Sequence, residues 1–374
     1  MPELVAVLGP PGPGWVEELR RWWDRGDAVL PIDHRLPPPA VTALLDALRP
    51  TLLVRPRGEP DRLPGRPVEP GDALVLATSG TTASPKGVVL THAAVAAAAW
   101  ASSEALAVDP SRDAWLACLP LAHAGGLGVV TRALLTGTPL TVLPGFDAEA
   151  VEAVARTSDR SVLVSLVATA LRRVDPDLFR VILLGGDAPP VWPDGRPAPV
   201  VVTYGLTESG GGCVYDGVPF RDVAVRIVKG EVHVRGPVLG RAYRTADHDA
   251  PLTAPDGWLA TGDGGRWAGD GTLVVDGRLD EVIVTGGEKV WPGAVEAVLR
   301  RVPGVADVAV VGRPDPEWGE RVVAVVVPAR EPPTLDTLRA EACAALPLWA
   351  APKELVLVAE LPRTALGKLR RGVV

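Results

Sequence analysis

Residues 78–87, T-S-G-T-T-A-S-P-K-G, bring hydroxyl side chains, two glycines and a lysine together within ten positions. Hydroxyls, backbone N–H groups and an ammonium group are the groups that bind phosphate oxygens. The stretch is not a Walker P-loop, because Pro85 stands where that motif has a glycine before its lysine. A solvated turn between two strands is the alternative interpretation. The candidate phosphate ligands are Thr78, Ser79, Gly80, Thr81, Thr82 and Lys86.

Other stretches carry polar groups beside glycines or after an apolar run. They are residues 119–126 (L-P-L-A-H-A-G-G), 183–188 (L-L-G-G-D-A), 203–209 (T-Y-G-L-T-E-S), 258–263 (W-L-A-T-G-D), 276–281 (D-G-R-L-D-E) and 361–368 (L-P-R-T-A-L-G-K). Four of them have a structural alternative: a core histidine for 119–126, a tight strand exit for 183–188, a solvated turn for 203–209 and a solubilising terminal lysine for 361–368. In the third stretch, Glu208 offers the hard oxygen ligand that Mg²⁺ prefers.

In this order, the stretches resemble the motifs of acyl-adenylate-forming enzymes, which include acyl-CoA synthetases, adenylation domains and luciferases. The loop at 78–87 resembles the family pattern S-G-T-T-G-x-P-K-G, with Ala83 in place of one glycine. The later stretches are similar to the patterns P-x-x-H-x-x-G, G-G-[AED], Y-G-x-T-E, T-G-D, G-R-x-D and P-[RK]-T-x-x-G-K. With a further segment at residues 26–37, these motifs span nearly the whole chain.

The resemblance implies how a nucleotide is held. An ionised Asp263 would accept hydrogen bonds from both ribose hydroxyls, and Tyr204 would offer a flat face to adenine. The implied nucleotide-binding set is Thr78, Ser79, Gly80, Thr81, Thr82, Lys86, Gly185, Gly186, Asp187, Tyr204, Gly205, Thr207, Asp263 and Arg278. The implied catalytic set is Lys86, Thr207, Glu208 and Lys368. In that set Glu208 is the metal ligand, and the two lysines stabilise negative charge in the transition state.

A second group of residues would contact the acid. The resemblance assigns His123 to the acyl pocket, and the glycines around it leave room for a flat ring. Arg132, on the helix predicted for residues 126–135, is the candidate partner of a second carboxylate on the substrate. An exposed helix arginine without such a role is the alternative. The predicted substrate set is His123, Arg132, Gly210 and Gly211.

The elements that must position these residues alternate along the chain, which favours βαβ units and a largely parallel sheet. Strands are predicted at 73–77, 114–119, 162–165, 181–184 and 199–203, and helices at 93–106, 126–135 and 167–174. Near Asp280 the pattern changes to a small α+β unit. The expected fold is therefore α/β: a large N-terminal domain of stacked sheets with flanking helices, residues 1–279, and a small mobile C-terminal lid, residues 280–374. Asp280 is the implied hinge.

Composition limits the partners and the compartment. The net charge of −7 gives no basic surface for nucleic acid, and no apolar run reaches the length needed to insert in a membrane. Three widely separated cysteines indicate a reducing compartment, and the N-terminus shows no signal-peptide pattern, so we expect a cytoplasmic protein. The sequence leaves a homodimer open.

The resemblance implies a ligase that uses ATP, Mg²⁺ and coenzyme A and forms an acyl-AMP before a thioester. Within the family, the short o-succinylbenzoate–CoA ligases of menaquinone biosynthesis resemble this chain in the short N-terminal region and in residues 203–219 and 285–287. We therefore expect 2-succinylbenzoate as the acid. Another acyl- or aryl-CoA synthetase, an adenylation enzyme that loads a carrier protein, and a non-catalytic nucleotide-binding protein are the alternatives.

Overall fold

The computed structural model describes the 374-residue chain except residues 56–57, 79–84, 187–191, 193–194, 364–368 and 370. The chain divides into two compact units. The large unit comprises Met1–Pro189, Gly195–Arg226 and His233–Ala260. The small unit comprises Pro190–Asp194, Ile227–Val232 and Thr261–Val374. Each unit is described by itself below.

The first part of the chain, up to residue 251, forms six α-helices and seventeen strands among its described residues. The helices are α1 Pro13–Asp24, α2 Pro38–Leu48, α3 His92–Ala105, α4 Ala124–Thr136, α5 Ala148–Thr157 and α6 Ala168–Leu171. The strands are β1 Leu4–Leu8, β2 Ala28–Ile32, β3 Leu52–Val54, β4 Asp61–Arg62, β5 Asp72–Thr78, β6 Lys86–Thr91, β7 Asp113–Ala117, β8 Leu140–Val142, β9 Ser161–Leu166, β10 Val181–Leu184, β11 Val200–Leu206, β12 Gly211–Tyr215, β13 Val218–Pro219, β14 Ala224–Val228, β15 Glu231–Arg235, β16 Ala242–Arg244 and β17 Asp249–Pro251.

Two sheets dominate the large unit. One has eight strands in the order β17-β16-β6-β5-β2-β1-β3-β4, and the other has seven in the order β13-β12-β11-β10-β9-β7-β8. In the second sheet, β8, β7, β9, β10 and β11 are parallel, and β12 joins antiparallel to β11. Of these, β7, β9 and β10 are short apolar runs because they are buried on both faces. The predicted α/β class with stacked sheets and flanking helices is confirmed.

Helix α3 begins at His92, one residue before the start that the sequence predicts. The Oγ1 of Thr91 accepts a hydrogen bond from the N–H of Ala94 at 3.1 Å, which satisfies one of the donors that the first turn leaves free. The helix predicted for residues 167–174 is, in contrast, wrong in length, since α6 has only four residues. The helix ends at Leu171, and Asp175 caps a separate short 3-10 turn that starts at Pro176.

The strand predicted for residues 199–203 is longer in the structure. Its C-terminal half pairs antiparallel with β12, from Thr203 opposite Tyr215 to Leu206 opposite Gly211. Tyr204 and Gly205 therefore lie within strand β11 and not in the turn after it. The pairing with β12 therefore holds the backbone of these two candidate site residues in the sheet.

The rest of the chain adds seven strands and two helices among its described residues: β18 Leu259–Trp267, β19 Leu273–Arg278, β20 Ile283–Thr285, β21 Glu288–Val290, α7 Pro292–Leu299, β22 Val305–Asp315, β23 Gly319–Pro328, α8 Leu335–Ala345 and β24 Glu354–Leu357. One sheet has the order β21-β20-β23-β22, with β24 beside β23, and another has the order β14-β15-β18-β19. Val295, Leu299, Val310, Ala324 and Leu338 are buried in the core of the small unit. None of the helices in the described ranges is long and apolar enough to span a bilayer.

Candidate active site

Strands β5 and β6 carry the two ends of the predicted phosphate loop. Thr78 and Lys86 face each other across this antiparallel pair, and the Thr78 hydroxyl donates to the carbonyl of Lys86 at 3.3 Å. Ser79, Gly80, Thr81 and Thr82 lie outside the described residues, as do Asp187 and Lys368. Their predicted roles stay predictions.

The parallel strands β10 and β11 bring two of the predicted segments together. Gly185 and Gly186 follow β10, and a Cβ atom on Gly185 would stand 2.5 Å from Oγ1 of Thr203 on β11. Gly186 has a φ of 93°, a conformation that glycine adopts without strain. Gly185 therefore lies beside Thr203, the residue before Tyr204, where the carboxyl end of β10 meets β11; α/β sheets bind ligands at such ends.

A tight turn presents Thr207 and Glu208. The hydroxyl of Ser209, which is fully buried, accepts from the N–H of Leu206 at 3.1 Å and is 2.7 Å from the carbonyl of Gly211, to which it donates. A Cβ on Gly205 would stand 1.9 Å from that same carbonyl oxygen, so the two strands approach too closely for any other residue. The turn is held by Ser209, and Thr207 and Glu208 remain only half-buried.

Glu208 is connected to Lys86 through Tyr243, which sequence reasoning missed. The Tyr243 hydroxyl donates to Oε1 of Glu208 at 2.8 Å, and Nζ of Lys86 lies 4.0 Å from the centroid of the Tyr243 ring. Tyr243 lies on β16, opposite Val88 of β6. No motif marks it in the sequence, so only the pairing of β16 with β6 reveals the contact.

The donor set around Glu208 suits a magnesium ion bound together with a substrate. Among the described residues no group of three or more His, Cys, Asp or Glu side chains could form a metal cage. Mg²⁺ keeps several waters and binds through one or two carboxylates together with substrate phosphates. The half-buried carboxylate of Glu208, linked to Lys86 through Tyr243, fits this mode of binding.

Arg132 is buried, so the interpretation of it as an exposed helix arginine is wrong. Its residue is 6% exposed on α4, and Nη1 has no hydrogen-bond partner in the described part of the chain. The guanidinium lies 5.3 Å from the centroid of the Trp115 ring. Its Nη2 would be 3.3 Å from a Cβ on Gly128 and 3.8 Å from a Cβ on Gly211. The structure therefore brings Arg132 together with the glycine turn after Glu208.

His123 occupies the N-cap position of α4 without capping the helix through its side chain. Its carbonyl accepts from the N–H of Leu127 at 2.9 Å, while Nε2 is buried without a partner among the described residues. Burial lowers the pKa of His123 below its usual value of 6.5, and the charge of Asp33 opposes that shift only in part. The imidazole is thus neutral at pH 7.

A small apolar cleft, with a volume of about 10 Å³, lies beside these residues in the large unit. It is lined by Leu74, Leu76, Leu90, Val95, Ala98, Ala124, Leu127, Gly128, Thr131 and Gly210. Gly128 and Gly210 connect the cleft to the neighbourhood of Arg132. A second, roomier groove, lined by residues such as Val16, Arg20 and Leu134, includes no member of the predicted site among its lining residues.

In the small unit, Asp263 and Arg278 pair across β18 and β19. Nη1 of Arg278 lies 3.4 Å from Oδ1 of the buried Asp263 and donates to the carbonyl of Thr261 at 2.9 Å. Its Nε donates to the exposed Asp280 at 3.2 Å. Burial lowers the pKa of Arg278, but the hydrogen bond to Asp280 and the charge of Asp263 outweigh it, so the net shift is upward. The predicted ribose and hinge residues are therefore linked through one arginine.

Comparisons with known proteins agree with this organisation. A family model described as AMP-binding enzyme matches residues 55–244, and one described as AMP-binding enzyme C-terminal domain matches residues 294–368. A Mycobacterium tuberculosis protein named "Probable 2-succinylbenzoate--CoA ligase" is 39% identical over 361 residues, covering 90% of this chain and 93% of the relative. An indoleacetate–CoA ligase of Aromatoleum aromaticum is 36% identical over 343 residues, covering 80% of this chain and 66% of the relative.

A solved structure shows the same fold. The o-succinylbenzoate CoA synthetase (MenE) from Bacillus subtilis, in complex with the acyl-adenylate intermediate OSB-AMP, superimposes with a TM-score of 0.86. It covers 99% of this chain and 87% of that one, at 24% sequence identity. The arrangement of sheets and helices described above is thus one that known enzymes share.

Proposed function

Since this chain belongs to the AMP-binding enzyme family, we propose that it is an ATP-dependent acid–CoA ligase whose acid is 2-succinylbenzoate. In the first step, a carboxylate oxygen of the acid attacks the α-phosphorus of ATP, and pyrophosphate leaves. In the second step, the thiol sulfur of coenzyme A attacks the acyl carbon of the acyl-AMP, and AMP leaves. The products are the thioester, AMP and pyrophosphate.

We infer the identity of the acid from the buried guanidinium of Arg132. A buried cation without a partner costs several kcal/mol, because desolvation is not repaid by an opposite charge. Arg132 has no ion pair with any described Asp or Glu, and its Nη1 is unpaired. This arrangement indicates an anionic ligand, and a carboxylate matches the two parallel N–H groups of a guanidinium.

An aromatic acid with a second carboxylate would supply the anion that Arg132 lacks among the described residues. Gly128 and Gly211 place no side chain against Nη2, and the small apolar cleft at Leu90, Leu127 and Gly210 adjoins this position. A monoacid such as indoleacetate has only the carboxylate that the first step consumes, so it would leave Arg132 unpaired. The name of the Mycobacterium tuberculosis relative agrees with a diacid.

The remaining predicted residues have roles in this proposal that follow from their chemistry. Lys86 and Lys368 stabilise the charge of the transition state, Thr207 donates to the α-phosphate, and Asp263 accepts from the ribose. Mg²⁺ bound at Glu208 neutralises phosphate charge when present. The neutral His123 lines the acyl side of the site.

Residues 280–374 act as a lid in this proposal, and Asp280 is the hinge about which the lid turns between the two steps. The exposed position of Asp280 and its contact to Arg278 support that role. A reducing cytoplasm suits the free cysteines, of which Cys118 and Cys213 are buried.

Thioester formation across a panel of acids tests the proposal. The purified protein is supplied with ATP, Mg²⁺, coenzyme A and one of 2-succinylbenzoate, benzoate, indoleacetate, or a medium- or long-chain fatty acid. We expect kcat/KM for 2-succinylbenzoate to exceed that of every other acid by at least about tenfold, which is about 1.4 kcal/mol in transition-state binding. A preference of that size for indoleacetate or a fatty acid would overturn the assignment of the acid.

A further inference from the structure

Tyr243 contacts both charged groups that the proposed function requires at the phosphates. Its hydroxyl donates to Glu208 at 2.8 Å, and its ring face lies 4.0 Å below the ammonium of Lys86. Lys86 begins strand β6, and Glu208 lies in the turn after strand β11, so the two come from separate parts of the chain. A phenol is suited to this position, since it has a face for a cation and a hydroxyl for a carboxylate.

Lys86 and Glu208 form no ion pair with each other in the described part of the chain, although one side chain contacts both. A direct pair would neutralise the ammonium that should meet the phosphates and the carboxylate that should meet the metal. A ring between them prevents that neutralisation and still holds each charge in place. The hydrogen bond also fixes the direction of the carboxylate.

The strand that carries Tyr243 is anchored by two nearby arginines. Arg244, next along β16, is 0% exposed and donates to the carbonyls of Leu48 at 2.8 Å and Pro67 at 3.1 Å. Arg241 binds both carboxylate oxygens of Asp72 at 2.7 Å. Because successive residues of a strand point to opposite faces, the burial of Arg244 turns Tyr243 toward Lys86. The phenol is therefore held by a rigid element.

We propose that Tyr243 is a positioning residue that keeps Lys86 and Glu208 apart and oriented for the phosphates and metal of Mg·ATP. This inference rests on the proposed function, because it assumes that ATP binds at these residues. Tyr243 takes no part in bond making. Its effect is exerted through the carboxylate and the ammonium that it contacts.

Equilibrium binding of ATP, measured with and without Mg²⁺ and in the absence of acid and coenzyme A, tests the role of Tyr243. Tyr243→Phe keeps the ring under Lys86 and removes the bond to Glu208. We expect it to weaken binding of Mg²⁺ in the presence of ATP about tenfold, while ATP binding without metal is unchanged. Mn²⁺ titration followed by electron paramagnetic resonance reads the same site directly.

Tyr243→Leu removes both contacts and lets Lys86 pair with Glu208. We expect it to weaken ATP binding even without metal, by about tenfold, in addition to the metal defect. Tyr215→Phe is the matched control. It deletes a buried phenol hydroxyl that bonds Ser102 at 2.7 Å, away from Lys86 and Glu208, and both affinities should stay at the wild-type value.

Wild-type metal and ATP affinities in folded Tyr243→Phe and Tyr243→Leu proteins would overturn the role of Tyr243 and leave the proposed function intact. An equal metal defect in Tyr215→Phe would also overturn it, because the effect would then be a general loss of packing. A wild-type protein that does not bind Mg·ATP would overturn both the proposed function and this inference.

Discussion

A Cβ atom on Gly128 would stand 3.3 Å from Nη2 of Arg132, one turn further along α4. That distance is shorter than an ordinary van der Waals contact, so the guanidinium would have to move aside by a few tenths of an ångström. The crowded atom is the end of a flexible side chain, and an alanine favours the helix over a glycine by about 0.5–1 kcal/mol. Stability and substrate binding should therefore respond to Gly128→Ala in opposite directions.

We expect Gly128→Ala to keep or raise the melting temperature and to raise KM for 2-succinylbenzoate about tenfold. Thermal unfolding and steady-state kinetics measure the two effects. Gly14→Ala is the control, since Gly14 lies in α1 and its Cβ would meet nothing within 4 Å. A variant of Gly128 with wild-type KM would show that the position of Arg132 does not affect the acid.

The lowered pKa of His123 makes folding depend on pH. Well above pH 6.5 the imidazole is neutral in both states, and His123 adds no pH dependence. As the pH falls below 6.5, the unfolded chain takes up a proton that the folded protein does not, so the free energy of unfolding decreases until the folded pKa is reached. We expect His123→Gln to remove this part of the slope.

Denaturant unfolding of wild-type protein and His123→Gln between about pH 5 and pH 7.5 measures the difference. His92 has its pKa lowered by burial in the same direction, so some slope should remain in the variant. The same slope in both proteins would contradict a buried neutral His123.

Glu296 holds three groups of the small unit from an almost fully buried position. It is 1% exposed, and it accepts from the N–H of Val310 at 2.9 Å, from Arg371 at 2.9 Å and from Arg300 at 3.2 Å. Glu296→Ala removes the acceptor and leaves the cations behind, so we expect a loss of about 3 kcal/mol in the free energy of unfolding of this unit. Glu341→Ala, at an exposed position of α8, should cost far less. Equal losses in the two variants, measured by denaturant unfolding, would argue against the role of Glu296.

Lys368 lies outside the described residues, and its predicted role can still be tested. A lysine needed only while the adenylate forms should be dispensable afterwards. Lys368→Ala should lower the rate of acyl-AMP formation by about 10²–10³, as the loss of other electrostatic stabilisers does, and should largely spare thioester formation from supplied acyl-AMP. The two half-reactions are measured by pyrophosphate release and by thioester formation. Equal losses in both would contradict a role of Lys368 in the first step alone.

The sequence predicts most of this fold because its signals are local. The Thr91 cap, the apolar runs of the parallel strands and the glycine-rich motifs at their ends each depend on neighbours in sequence. Local signals do not reveal the role of Tyr243, because its partners are distant in sequence. Lys86 is near it because β6 pairs with β16, and Glu208 is near it because of the turn held by Ser209.

The sequence also does not predict that Arg132 is buried. Helix α4 is buried along most of its length, from Gly126 to Ala133, so its pattern gives no exposed face on which to place an arginine. The sequence also predicts too long a helix for α6, which ends at Leu171, before the cap at Asp175.

The central claim, that Arg132 selects an acid with a second carboxylate, is tested most directly by comparing the diacid with its two monoacid analogues. Each analogue lacks one of the two carboxylates of 2-succinylbenzoate, so one of them keeps only the group that is activated. Arg132→Leu replaces an unpaired buried charge by an apolar side chain, and its melting temperature should not fall. Arg156→Leu, at an exposed arginine of α5, is the control.

We expect wild-type protein and Arg156→Leu to favour the diacid over the better monoacid by about 10² in kcat/KM, the worth of a charge-assisted pair of hydrogen bonds. In Arg132→Leu that preference should disappear, because activity on the diacid falls while activity on the monoacid is retained. A folded Arg132→Leu protein that still favours the diacid by the wild-type factor would contradict the claim.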